Sequence, residues 1–194
     1  TIRYPHFCID METGTGKTYV YLRSIFQLRQ QYGLHKFIIV VPSIAIFEGV
    51  KSSVEELNPE FLKLYGETIN LVDYRDSKNS VEDSVVAFTE NPGISVLLIT
   101  PASFNRASNR IFKSTEGGMD GTGLPYQRCG YTRPILIIDE PQTTLGGKTL
   151  SGLRIFNPLA AFRFSATHRQ TPNLLFRLTP YDAFEQNLVK QVEV

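Results

Sequence analysis

Thr13-Gly14-Thr15-Gly16-Lys17-Thr18 is the stretch of this sequence best equipped for chemistry. Glycines at 14 and 16 let the backbone curl so that successive N–H groups point inward at a phosphate. Lys17 supplies a point charge for the β- and γ-phosphates of a nucleoside triphosphate, and Thr18 a hydroxyl for Mg²⁺. The general phosphate-loop pattern G-x-x-x-x-G-K-[ST] asks for a further glycine at position 11, where this chain has Met11. That glycine eases the turn off the preceding strand and does not itself hold phosphate. A side chain is tolerated there if the backbone keeps a negative φ. Glu12, beside the phosphates, is expected to point away from them.

A second group follows the apolar run at 134–138, where Asp139 and Glu140 stand together in "DEPQ". Asp139 is read as the acid that holds Mg²⁺, largely through water, and Glu140 as the general base for the attacking water. Metal and γ-phosphate need an acid close to the loop, so the strand before Asp139 is expected beside the strand before the loop. A third group, Ser165-Ala166-Thr167, closes the run "AFRF". Small hydroxyl residues at a strand end suit a hydrogen-bonded element coupling a nucleotide site to a polymer site. Taken alone, the same residues are an ordinary strand end.

These groups need a frame, and the chain alternates apolar runs with amphipathic ones. Strands are predicted over 6–11, 36–42, 68–74, 94–101, 133–141 and 161–167. Helices are predicted over 16–33, 43–57 and 80–91, with Ser43 and Ser80 as N-caps and Gly33 as a stop. Residues 114–132 read as a long mobile Gly-rich loop, and 182–194 as an exit segment. Strand–helix alternation implies an α/β fold, a mostly parallel sheet with helices on both faces. No repeat or linker divides 1–194, so one domain is expected.

Composition excludes several classes. The hydrophobic content of 42% and charged content of 20% are those of a globular domain with a core. Apolar runs fall short of the roughly 18 residues that span a bilayer, and no signal segment opens the chain, so no membrane partner and a cytoplasmic location are expected. Cys8 and Cys129 are expected as free thiols, and His6, His35 and His168 lack metal-ligand spacing. Net charge is +1, but residues 43–100 carry four Lys/Arg against ten Asp/Glu, while 101–177 carry ten against four. Such asymmetry is compatible with one face meeting a polyanion.

The order TGTGKT, DEPQ, SAT resembles the first motor lobe of superfamily 2 helicases. "METGTGKTYVYLRSIF", "KFIIVVPSIAI" and "EGV" either side of Phe47, "LLITPASFNR" and "ILIIDEPQ" look closer still to the restriction subunit of type III restriction–modification enzymes. The resemblance runs from about Ile9 to the C-terminus and is weakest over 114–131. It implies a RecA-like P-loop lobe that binds ATP and Mg²⁺, hydrolyses ATP and contacts DNA. By similarity, Pro42 with Ser43, and Thr100 with Pro101, are the segments that touch the DNA backbone.

Such a motor also needs a second RecA-like lobe, a nuclease domain and a modification subunit that recognises the site. None of these is expected within 1–194, and the adenine-reading segment is expected upstream of Thr1. The isolated lobe is therefore expected to bind ATP weakly and hydrolyse it poorly. Competing readings are a superfamily 2 helicase in repair, an ATP-gated DNA-binding module and a small-molecule kinase, the last disfavoured by Met11 and the DEPQ–SAT order.

Overall fold

Residues 36–40, 95–99 and 135–139 are apolar almost throughout, and such runs are stable as strands only when both faces of the sheet are covered. The computed structural model describes residues 4–75, 80–104, 111, 124–144, 146–167, 171–186 and 188. It buries every residue of those three runs. In chain order the elements are β1 (His6–Met11), α1 (Lys17–Tyr32), β2 (Lys36–Val40), α2 (Ile44–Tyr65), β3 (Asn70–Asp73), α3 (Val81–Glu90) and β4 (Ser95–Ile99). There follow α4 (Pro125–Tyr131), β5 (Ile135–Asp139), α5 (Pro141–Thr144), α6 (Gly147–Leu153), β6 (Ala160–Ser165), β7 (Leu174–Leu178) and α7 (Pro180–Glu185).

The strands form one seven-stranded sheet in the order β3-β4-β2-β5-β6-β1-β7. Each neighbouring pair is parallel. The fold is the α/β architecture expected. Alternate residues of the strands feed two cores. On one face Phe37, Ile39 and Ile137 pack with Leu22, Phe26 and Phe47 of α1 and α2. On the other, Ile38, Leu97 and Ile138 pack with Phe88, Cys129 and Phe156.

Several elements depart from expectation. Helix α2 continues past Pro59 to Tyr65, although proline removes a helical hydrogen bond. The continuation carries Phe61 and Tyr65 to within 4.6 and 4.8 Å of the Phe26 ring, and this aromatic packing outweighs the proline. Part of the expected 114–132 loop is helix α4, opened by Pro125 and by Gln127, whose Oε1 accepts from Leu124 N–H at 2.8 Å. Residues 114–123 of that stretch, together with His168 and most of 187–194, lie outside the described residues. Strands adjacent in function are not adjacent in space either: β6 stands between β1 and β5, correcting the expectation that the acid's strand borders the loop's.

Register sets the site. Asp10 lies opposite Ser165 and Asp139 opposite Phe164, while Val40 lies opposite both Ile99 and Ile138. The strands thus finish nearly level, and the groups that follow them share one edge of the sheet.

Candidate active site

At that edge, β1 hands over to α1 through a loop whose shape is fixed by two glycines. Gly14 and Gly16 have φ of 80° and 86°, a region closed to most side chains. Met11 has no positive φ, as the missing glycine required, and it is 5% exposed in the core beneath the loop. Thr15 donates its hydroxyl and its N–H to the Glu12 carbonyl, at 2.6 and 3.4 Å. The Glu12 carboxylate folds back on its own loop and accepts from Thr13 N–H at 2.8 Å. Gly16 is the N-cap of α1, so the helix N-terminus adds its positive end at Lys17 and Thr18.

Lys17 is the meeting point of loop and acid pair. Its Nζ lies 2.9 Å from Glu140 Oε1 and 3.5 Å from the Met11 carbonyl. The ammonium reaches Glu140 across the whole width of β6. Glu140 itself sits at φ 47°, a costly conformation for a non-glycine residue. Its N–H donates to the Phe164 carbonyl at 2.9 Å, which pins the turn to β6. A strained residue held in this way just after a strand aims its side chain rather than following the sheet.

The two carboxylates are driven apart. Burial pushes Asp139 up to about 6, and the neighbouring Glu140 charge adds to this, while Lys17 and the Glu140 amide pull it back. Burial alone would raise Glu140 too, but hydrogen bonds from Lys17, Gln142 and Ser165 outweigh it and hold it below its ordinary value. Among the described residues, Asp139 Oδ1 is buried with no hydrogen-bond partner. That atom fits a hard cation bound through water, and Thr18 in the first turn of α1 carries a hydroxyl that could join it. Among the described residues no cluster of three His, Cys, Asp or Glu could hold a metal alone. One acid, one hydroxyl and substrate phosphates are the donor set Mg²⁺ uses in such sites.

Ser165, fully buried at the end of β6, closes the site. Its hydroxyl lies 2.8 Å from Gln142 Oε1 and 3.0 Å from Glu140 Oε2, so its single proton serves one or the other. It accepts from Thr167 N–H at 3.0 Å. Gln142 donates to Glu140 and to Thr167 Oγ1. The structure therefore joins Lys17, Glu140, Ser165 and Thr167 in one network. Ala166 lies between the last two and carries no polar side chain. Gln142 is its missed member: it was legible as part of "DEPQ" but was given no role. Tyr21 was missed too. Its buried hydroxyl is pushed up by burial and then by the Asp139 charge, and it interacts with Thr18 one helical turn earlier on α1.

Pro42, Ser43, Thr100 and Pro101 come together along a second part of the same edge, in a groove of about 650 Å³. Thr143 and Thr144 of α5 form its wall on the acid side. Thr144 donates to the Asp139 and Glu140 carbonyls at 2.9 and 3.0 Å, so the groove wall is bonded to the acid pair. A separate apolar cavity of about 600 Å³ lies between α1 and β7, lined by Ile9, Met11, Leu28 and Phe176, with no charged side chain among its described lining residues. It is not where the charged groups converge.

This loop, acid turn and hydroxyl network on a parallel sheet have relatives. The family model for the type III restriction enzyme Res subunit matches residues 3–170. The chain belongs to that family. It is 32% identical over 200 residues to the EcoPI Res subunit of Escherichia phage P1 and 33% over 201 residues to the EcoP15I Res subunit of Escherichia coli. The alignments cover 95% of this chain and 21% of each relative. To the StyLTI Res subunit of Salmonella typhimurium it is 30% identical over 220 residues. The chain thus spans about a fifth of the length of these relatives. Among solved structures, a DEAD box protein from Methanococcus jannaschii has the same fold, with a TM-score of 0.54 at 14% identity over 93% of this chain and 47% of that one. The chain therefore shares the RecA-like α/β fold of that protein.

Proposed function

We propose that this lobe binds and hydrolyses ATP with Mg²⁺ as the first motor lobe of a DNA translocase acting in restriction. The observation that carries the reading is the single network joining Lys17, Glu140 and Ser165. The backbone N–H groups of Thr13, Gly14, Thr15 and Gly16 would cradle the β-phosphate, with Lys17 on the β- and γ-phosphates. Thr18 and Asp139 would hold Mg²⁺, largely through water. The ion, when bound, would supply charge neutralisation at the phosphate oxygens.

Glu140, held ionised by Lys17, Gln142 and Ser165, is placed to accept a proton from water. Lys17 must then divide its charge between the Glu140 carboxylate and a γ-phosphate, so nucleotide arrival frees Glu140 to turn toward water. Ser165 and Thr167 would feel that turn directly through Gln142. Pro42, Ser43, Thr100 and Pro101 would contact the DNA backbone through hydroxyl and backbone groups, without reading bases. Likeness to Res subunits favours restriction over repair, and makes a second RecA-like lobe, a nuclease domain and a modification subunit the expected partners.

The deciding experiment is ATP hydrolysis by the protein with and without duplex DNA. DNA should stimulate turnover, and the lobe alone should turn over slowly. Hydrolysis by the lobe at the rate of the whole motor, or indifference to DNA, would overturn the reading.

A further inference from the structure

The groove lined by Pro42, Ser43, Thr100 and Pro101 has one cationic side chain among its described lining residues, Arg75, and no acidic one. Arg75 follows β3, a strand that carries none of the groups singled out for chemistry. Its guanidinium carbon lies 3.5 Å from the centroid of the Phe47 ring, a stacking that fixes the plane of the fork. Phe47 is fully buried, so the ring under Arg75 is part of the packed core. The Arg75 N–H donates to Asp73 Oδ1 at 2.8 Å, which sets the backbone turn. The Asp73 carboxylate is shared with Lys51, 3.4 Å away, and lies 3.9 Å from Arg75 Nε. Among the described residues, Arg75 Nε is buried with no hydrogen-bond partner. The remaining ion pair is Nη2 to Glu48 Oε1 at 2.6 Å, and the Glu48 side chain is 57% exposed.

A surface pair of this kind holds weakly, because water solvates the carboxylate almost as well as the arginine does. A planar guanidinium stacked on a buried ring beside a hydroxyl-lined groove, its Nη2 held only by an exposed carboxylate, has the fork geometry that suits a phosphate. Resting on the nucleic-acid reading of this groove, we infer that Arg75 is its phosphodiester anchor and that Glu48 is a latch competing with the phosphate for the same guanidinium. The two partners then make opposite predictions. Removing the anchor weakens polynucleotide binding, whereas removing the latch strengthens it. A merely structural ion pair would give loss from both sides.

The test uses the protein with a short fluorescein-labelled duplex of arbitrary sequence, titrated by anisotropy at several salt concentrations. Arg75→Gln should weaken binding roughly tenfold and lower the slope of log affinity against log salt by about 1, the loss of one phosphate contact. Arg75→Lys should keep that slope while losing part of the affinity. Glu48→Gln should tighten binding several-fold, with ATP affinity and thermal midpoint unchanged. Wild-type affinity and slope in Arg75→Gln, or weakened binding in Glu48→Gln, would overturn the inference. Thr100→Asp separates the two levels. If it weakens binding while Arg75→Gln does not, the groove reading stands and the anchor falls. If neither variant matters, both fall.

Discussion

Buried polar groups gather near both ends of β1, yet the two ends differ in what those groups converge on. At its start, His6 is 2% exposed and stacks on Tyr4 with ring centroids 4.7 Å apart. Arg163, 8% exposed, donates Nε to His6 Nδ1 at 2.7 Å. His6 Nδ1 is therefore the acceptor and its proton sits on Nε2, which among the described residues is buried with no partner, as is the Tyr4 hydroxyl. Burial and then the Arg163 charge lower His6 to about 4, and burial pushes Tyr4 up to about 12. At the other end, Asp139 and Glu140 are displaced in opposite directions around Lys17.

Perturbed titration is thus common to both ends and does not identify a site by itself. What differs is convergence. The far end gathers a helix N-terminus, a glycine-shaped loop, a cation and two acids around one point. The near end encloses a cation against neutral rings. The largest expected effect tests whether that convergence acts on water. Glu140→Gln keeps the shape and the bond to Ser165 but removes the base, so hydrolysis should fall by roughly 10²- to 10⁴-fold while nucleotide binding survives. Phosphate release and equilibrium ATP binding, measured together, check this. Unchanged turnover would make the far end as structural as the near one.

Lys17→Ala comes next. It removes the charge shared by Glu140 and the incoming phosphates, so ATP affinity should drop by about 100-fold, near the upper end for one charge-assisted contact. Nucleotide affinity that survives the change would break the phosphate-loop assignment.

The near end makes a prediction about pH rather than ligand. The His6 value of about 4 lies below the ordinary 6.5, so between those values the unfolded chain binds a proton that the folded chain refuses. Stability is fully present above 6.5 and is lost as pH falls toward 4. His6→Gln keeps an acceptor for Arg163 Nε and cannot titrate. Over that window it should lose about 2–3 kcal/mol less than the wild type, read from urea unfolding at several pH values. Equal acid loss in both proteins would show that His6 is not what the near end protects.

How much of this was legible in the sequence depends on what kind of information each part uses. The loop was legible because Gly14, Gly16, Lys17 and Thr18 act through local backbone shape. The buried strands were legible because both of their faces are apolar. Strand β7 was not, since four of its five residues are exposed at the sheet edge and its pattern does not alternate. Helices α4 and α6 were hidden by glycines that ordinarily mark loops; in α4, Gly130 packs so closely on the Ile155 carbonyl that a Cβ would lie 3.2 Å away. The place of β6 between β1 and β5, the bridging by Gln142 and the stacking of Arg75 on Phe47 are long-range pairings. No local spacing encodes them.

Ser165→Ala is the finest test, because it asks whether the far end is coupled or merely assembled. The hydroxyl accepts from Thr167 N–H and can donate to Glu140 or to Gln142, so its removal takes away a bond available to hold Glu140 ionised and oriented. Thr167 is exposed and its N–H can find water, so the fold should lose only about 1 kcal/mol. Basal hydrolysis should fall by no more than about fivefold, since Lys17 and Gln142 still hold the base. Stimulation by duplex DNA should fall further if the coupling reading holds, because Ser165 and the Phe164 carbonyl of β6 are what tie the acid turn to the Ser165–Thr167 segment. Basal and DNA-stimulated rates measured on one preparation separate the two cases. If both fall by the same factor, Ser165 positions Glu140 and nothing more. If the stimulated rate falls alone, the hydroxyl carries the signal between the two halves of the edge.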